Sequence, residues 1–309
     1  MERVVECRTP AKMLAFVRAG TKPGRLPETL WACTKAGNSM LRTRHSFLLD
    51  RKTGSRLLLT SSGDTAWVSL LHVGEGGLGA VVERAKETAG RWGVLMLRGP
   101  VSPDGSGFGL GLFAGGEDTV SPWHPSNPAS WCEEMERCGF EPAETLYEMR
   151  MDIPDAESPY RKLAKRGMAS GVTVVQADIR DRVCAEAAYA VSGDAHVRSF
   201  AAFAGMLKRV KRISEGAGAY IAYRNGAPAG WLLYTVEENG ARILHLQVLP
   251  GYRHTWVTPA LIDKAWELGR ARGCLFASTI DAQNRLSLDI ARNAGMRICR
   301  EYRMYRLLL

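Results

Sequence analysis

Two stretches of this chain, about 155 residues apart, run through the same series of elements, and a repeat of that length fits the usual size of a domain. Asn127 opens a loop and a short helix that stops at Gly139, followed by the alternating run ETLYEMRMDI. Asn284 opens RLSLDIARNA, which stops at Gly295 and leads into REYRMYRLLL. A glycine just past a short helix is a left-handed stop, and the alternation after it predicts a strand. The segments upstream correspond as well. AWVSLLHV, a Gly-rich turn, LGAVVERAKETAGRWG and VLMLRGP stand against RILHLQVLP, a turn, VTPALIDKAWELGRARG and CLFASTI. Each copy therefore reads strand, helix, strand, helix, strand. The expected fold class is α/β with a mixed sheet, in two tandem domains at 1–153 and 154–309, joined near 151–167.

The rest of the second copy follows in order. GVTVVQADI predicts a strand, and DRVCAEAAYAV and SFAAFAGMLKRVKRISEG predict helices. AYIAYRNGAPAGWLLYTVEENGARILHLQVL predicts a three-strand meander with turns at Asn225-Gly226 and Asn239-Gly240, both hairpin dipeptides.

Charge is divided unevenly between the copies. Residues 1–153 hold 18 Lys+Arg and 18 Asp+Glu, and residues 154–309 hold 23 and 14, so the second copy carries all of the net +9. Of those 23 basic residues 18 are arginine, which suits bidentate contacts to phosphate or carboxylate. The arginines are spread over strands and helices without an aromatic-interleaved patch, which argues against nucleic acid as the partner. The seven cysteines fall in no CxxC pair or zinc spacing, so reduced core thiols and no metal are expected. No apolar run reaches the roughly 20 residues of a membrane span, and MERVVECRTPAK is too charged for a secretory signal. A cytoplasmic protein without membrane insertion is expected.

The order strand, two helices, three antiparallel strands, helix, strand, helix, strand resembles the GNAT acyltransferase superfamily. The C-terminal stretch from VLPGYRHTWVTPALI to Tyr302-Arg303-Met304-Tyr305 resembles a group of tandem-GNAT bacterial proteins. WGVLMLRGPVSPD and SNPASWCEEMERCGF carry the same likeness in the first copy, so it covers residues 20–309. The resemblance implies acyl transfer from acetyl-CoA or a longer acyl-CoA to a small-molecule amine. An acyl-carrier protein is the alternative donor, and a Fem-like reading would place aminoacyl-tRNA there. A catalytically silent pair that binds ligands or partners is the reading from another class.

In that family a strand splays from its neighbour and pairs with the pantetheine amides, and an Arg-x-x-Gly-x-Gly/Ala loop holds the diphosphate at a helix N-terminus. Carried onto this chain, Gln247, Val248 and Leu249 form the strand end, and Arg253, Thr255, Val257 and Thr258 form the loop. Asn284 and Arg292 complete the expected donor set, Asn284 also serving as a helix cap. The loop departs from the pattern, since Trp256 and Thr258 stand at its glycine positions. A rival loop lies in the first copy, where Gly77-x-Gly79-Ala80 keeps the glycines but lacks the arginine and follows Glu75. The family's tyrosine acid has Ala291 at its position, leaving Tyr302 and Tyr305 as substitutes. His245 is the expected base, with Glu237 and Glu238 as fallbacks.

Overall fold

A computed structural model describes residues 3–7, 44–100, 111–117, 123, 127–192, 200–253 and 255–309. The chain divides into two compact units. The first comprises Met1–Leu146, Asp281–Gln283 and Arg300–Leu309, and the second Tyr147–Ile280 and Asn284–Cys299.

In the first unit β1 (Val4–Cys7), β2 (Arg44–Asp50), β3 (Arg56–Ser62) and β4 (Thr65–His72) form an antiparallel run. Helix α1 (Gly79–Arg91) then returns the chain to β5 (Met96–Gly99), parallel to β4. Val81, Val82, Ala85 and Ala89 give α1 one apolar face, and Gly93, at φ +72°, takes the left-handed stop just after it. β6 (Leu112–Gly116), α2 (Ser130–Arg137) and β7 (Glu141–Asp152) follow. The far edge of β5 is paired by the chain's last strand, β13 (Arg297–Leu308), in the antiparallel register Tyr305↔Gly99 and Leu308↔Met96. β6 pairs with β13 too, Arg300 opposite Gly116. Tyr305 lies in the same apolar core as Leu48, Leu57, Val68, Val82 and Met135.

In the second unit α3 (Arg161–Ala169) precedes β8 (Val172–Ala177), α4 (Arg182–Ser192) and α5 (Phe200–Ile213). β9 (Gly218–Arg224), β10 (Ala227–Glu237) and β11 (Gly240–Val248) form the meander. Asn225 and Gly226 both have positive φ, 50° and 82°, as a two-residue hairpin of this twist requires. α6 (Val257–Arg270) leads to β12 (Cys274–Asp281), parallel to β11, and α7 (Arg285–Asn293) follows. The core packs Leu232, Val257, Leu261, Leu275 and Leu288 between sheet and helices. Gly139 and Gly295, at φ +87° and +91°, end α2 and α7 as the repeat predicted, and the amides of Phe140 and Met296 bond back to Met135 and Ala291.

The order of elements and the mixed sheet agree with the expected α/β class. Helix α3 was not expected, because the segment 151–167 reads as a connection between the copies. A charged cluster lies buried in the second unit. Arg242 and Glu148 are both fully buried and ion-paired, Glu237 lies 3.4 Å from Arg242 Nε, and the guanidinium stacks over Phe276 at 4.6 Å. The pair holds Glu237 as a counter-ion, which removes it as a fallback base. Residues 20–43 and 101–104 of the stretches that carried the resemblance lie outside the described residues.

Candidate active site

The site begins where two strands part. β11 and β12 are in parallel register only from Ala241 and Leu275 to Ile243 and Ala277. Yet β11 continues to Val248 and β12 to Asp281. The cause is visible on the other side of β11, where Leu233 pairs with His245 and Tyr234 with Ile243, leaving Leu244 as an extra residue. Such a bulge bends the strand that carries it. Beyond the bulge the two strands form the prongs of a fork, His245–Val248 on one side and Ser278–Ile280 on the other.

At the end of the first prong the chain turns into α6. Tyr252 donates its amide to Leu249 O at 2.8 Å, and Thr255 Oγ1 donates to Tyr252 O at 2.7 Å, which closes the turn. Thr255 Oγ1 also accepts the Val257 amide at 3.4 Å at the start of α6, whose first turn contains no acidic residue. A helix of 14 residues begun this way turns the positive end of its dipole toward an anion, although Pro259 in its first turn supplies no amide. Arg253 is exposed beside it, its Nε 3.4 Å from Val248 O.

Trp256 does not fill the space in front of that helix. A methyl group built on Gly167 of α3 would lie 2.7 Å from Trp256 Cβ. The indole is packed against the second unit's core, and α3 keeps a glycine where it passes. Val257 is fully buried in that core. Val248 is also a core residue, and the Leu249 amide is spent on Ala229 O at 2.9 Å. Of the expected donor set, Arg253, Thr255 and Thr258 therefore gather at the α6 start, with Gln247 one strand position inward. Asn284 caps α7, accepting the Ser287 amide at 3.2 Å, and Arg292 is exposed in the last turn of α7.

His245 is half-buried on the first prong. Its Nε2 lies 3.1 Å from Gln247 Oε1, while Gln247 Nε2 donates to Ser192 O at 2.6 Å. Because the amide nitrogen of Gln247 is committed to a carbonyl, its oxygen must face the imidazole. In the neutral ring Nε2 then carries the hydrogen and Nδ1 is the basic nitrogen. Trp231 stacks on the ring at 5.0 Å and 43°, backed by Phe203. The site thus contains an oriented histidine at the root of the fork and a helix start at its tip.

The first unit repeats the fork but closes it. β4 and β5 pair only from Thr65 and Met96 to Trp67 and Arg98, while β4 runs on to His72. The glycine turn after β4 is locked by its own protein. Ser55 Oγ donates to Gly77 O at 2.6 Å and accepts the Gly74 amide at 2.8 Å. The buried Glu134 carboxylate accepts the Leu78 amide at 2.7 Å, at the start of α1. A side-chain methyl on Gly77 would lie 2.2 Å from Glu134 Oε1. Of the two glycines in Gly77-x-Gly79-Ala80, Gly77 makes room for a carboxylate from α2, which occupies the anion position, while a methyl on Gly79 would meet nothing within 4 Å.

Tyr302 and Tyr305 belong to the first unit and are fully buried there, so neither is among the residues of the second unit's fork. Burial above all, with the neighbouring Cys132 and Glu136, pushes the Tyr305 phenol far up, and its hydroxyl donates to Glu136 Oε1 at 3.2 Å. These are packed core tyrosines rather than proton donors at the fork.

Comparison with known proteins agrees with this geometry. Residues 185–296, which contain β11, the turn, α6 and β12, match the Acetyltransferase (GNAT) family. The chain has the tandem GNAT fold. Over 99% of its length it is similar to a tandem GNAT protein from the clavulanic acid biosynthesis pathway, covering 98% of that chain at TM-score 0.56 and 14% identity. It is similar to a GCN5-related N-acetyltransferase from Sphaerobacter thermophilus over 100% of its length and 96% of that chain, at TM-score 0.54 and 15% identity. A probable N-acyltransferase from Enterococcus faecalis V583 aligns over 99% and 72%, at TM-score 0.61 and 12% identity. At such identities these likenesses show the fold. No curated protein matches the chain in sequence. The matched residues contain the parted strands and the α6 start, while in the first unit Glu134 occupies the corresponding helix start.

Proposed function

We propose that the second unit transfers an acyl group from an acyl-CoA to an amine. The observation that supports this most is the fork that ends on the start of α6, with Arg253 beside it. Its open backbone edges suit the amides of a pantetheine arm, as an added strand would pair. The helix end and Arg253 suit the diphosphate. The thioester then lies at the root, next to His245. His245 Nδ1 takes a proton from the attacking nitrogen, and Gln247 holds the ring in the tautomer that can do so. The acceptor is a small-molecule amine, and the protein works in the cytoplasm.

A donor carried as phosphopantetheine on a carrier protein is the second reading, favoured by Trp256 and Thr258 at the loop's glycine positions. Such a donor lacks the CoA diphosphate and needs fewer close backbone contacts. Calorimetry with CoA separates the two. Arg253→Ala is expected to weaken CoA about 10- to 100-fold, the loss of a charge-assisted hydrogen bond, with the difference shrinking as salt is added. Absence of CoA binding to the wild type would exclude CoA as the donor and leave the carrier reading or a silent fold.

A further inference from the structure

The second prong holds a polar atom with nothing to bond. Ser278 follows Ala277, the last residue in register with β11, so it is the first residue of the prong. Its Oγ is buried and has no hydrogen-bond partner among the described residues. A buried hydroxyl left unpaired costs about 1–3 kcal/mol, so a ligand atom that accepts its hydrogen is favoured at this place.

Strand alternation gives its direction. Ser278 shares a face of β12 with Phe276, over which Arg242 stacks. Arg242 pairs with Thr235 and His245 with Leu233, two residues apart on β10, so Arg242 and His245 lie on one face of the sheet. His245 and Ser278 therefore flank the root of the fork on the same face, one on each prong.

We infer that Ser278 is a catalytic residue of the acyl transfer proposed above, donating a hydrogen bond from Oγ to the carbonyl oxygen of the bound thioester; this rests on that reading of the fork. The amine nitrogen adds to the carbonyl carbon, and the π pair moves onto the oxygen, which Ser278 holds. The proton of the attacking nitrogen passes to His245 Nδ1. The oxygen's pair then re-forms the carbonyl, the C–S bond breaks, and sulfur leaves as the thiolate, which takes a proton from water. The hydroxyl keeps its own proton throughout. Such a donor acts most strongly where negative charge builds.

The test is calorimetry with acetyl-CoA and with S-ethyl-CoA, a thioether that lacks the carbonyl. The wild type is expected to bind acetyl-CoA about tenfold more tightly, the worth of one hydrogen bond. Ser278→Ala should lose that preference while binding S-ethyl-CoA as before, and Ser278→Thr should restore it. Melting of the unliganded Ser278→Ala protein should not fall, since the change removes an unpaired group. An undiminished preference in Ser278→Ala would overturn the assignment and leave the donor site standing. Failure of the wild type to bind either compound would overturn both.

Discussion

Glu134 shows how one side chain decides the use of a loop. A glycine-rich turn at a helix start binds an outside anion only while its amides are unclaimed, and here the carboxylate claims Leu78. Glu134→Ala strips a buried charge-assisted bond and is expected to cost about 1.5–3 kcal/mol, read as a lower urea midpoint for the first unit. CoA affinity at the second unit's fork should not change. Sequence reading could weigh Gly77 and Gly79 against the missing arginine, but the partner of Leu78 lies 56 residues away, where no spacing rule reaches. Ser278 was equally hidden, because an orphan hydroxyl is defined by what surrounds it. His245 and Gln247 were legible as a pair on one strand face, since a period of two puts them there. The same reasoning named Tyr302 and Tyr305 but not the unit that buries them.

At the level of elements, Asn225-Gly226 and the glycine stops marked their turn, α2 and α7 well, because each imposes a backbone angle other residues resist, whereas the second turn falls at Glu238-Asn239 and the expected Gly240 already opens β11. The fork was expected only through family resemblance. Its cause, a bulge at Leu244, leaves no mark in LHLQVL beyond an ordinary strand pattern. The α6 loop teaches a related point about Trp256. In the sequence it looks like bulk placed where phosphate should approach, whereas the side chain packs toward α3 and Gly167. Trp256→Gly is therefore expected to destabilise the second unit by about 2 kcal/mol, part of the usual cost of truncating a large buried side chain, without tightening CoA. Urea unfolding and calorimetry on the same variant check both halves of that statement; a tighter CoA complex would mean that the indole does obstruct the loop.

For the molecule as a whole, the repeat gave the number of units and their order of elements, and the basic excess of the second half is the sequence feature behind the anion site proposed there. What periodicity could not give was the assignment of the last strand. Residues 300–309 are part of the first unit, where β13 pairs with β5 and β6 and adds Tyr305 to the core. A variant ending at Cys299 is expected to lose the first unit's cooperative unfolding, because β5 and β6 lose their partner and the core an aromatic side chain. The second unit's residues are all retained, so its CoA binding should survive. A separate peptide of residues 300–309 should restore part of the lost transition.

That ending also sets a timetable during synthesis. Domains commonly fold in the order in which they leave the ribosome. Here the second unit has its full set of residues once Cys299 is free, while the first waits for the final ten. The earlier half of the message must therefore stay unfinished, its β5 edge open, until residues 300–309 have emerged.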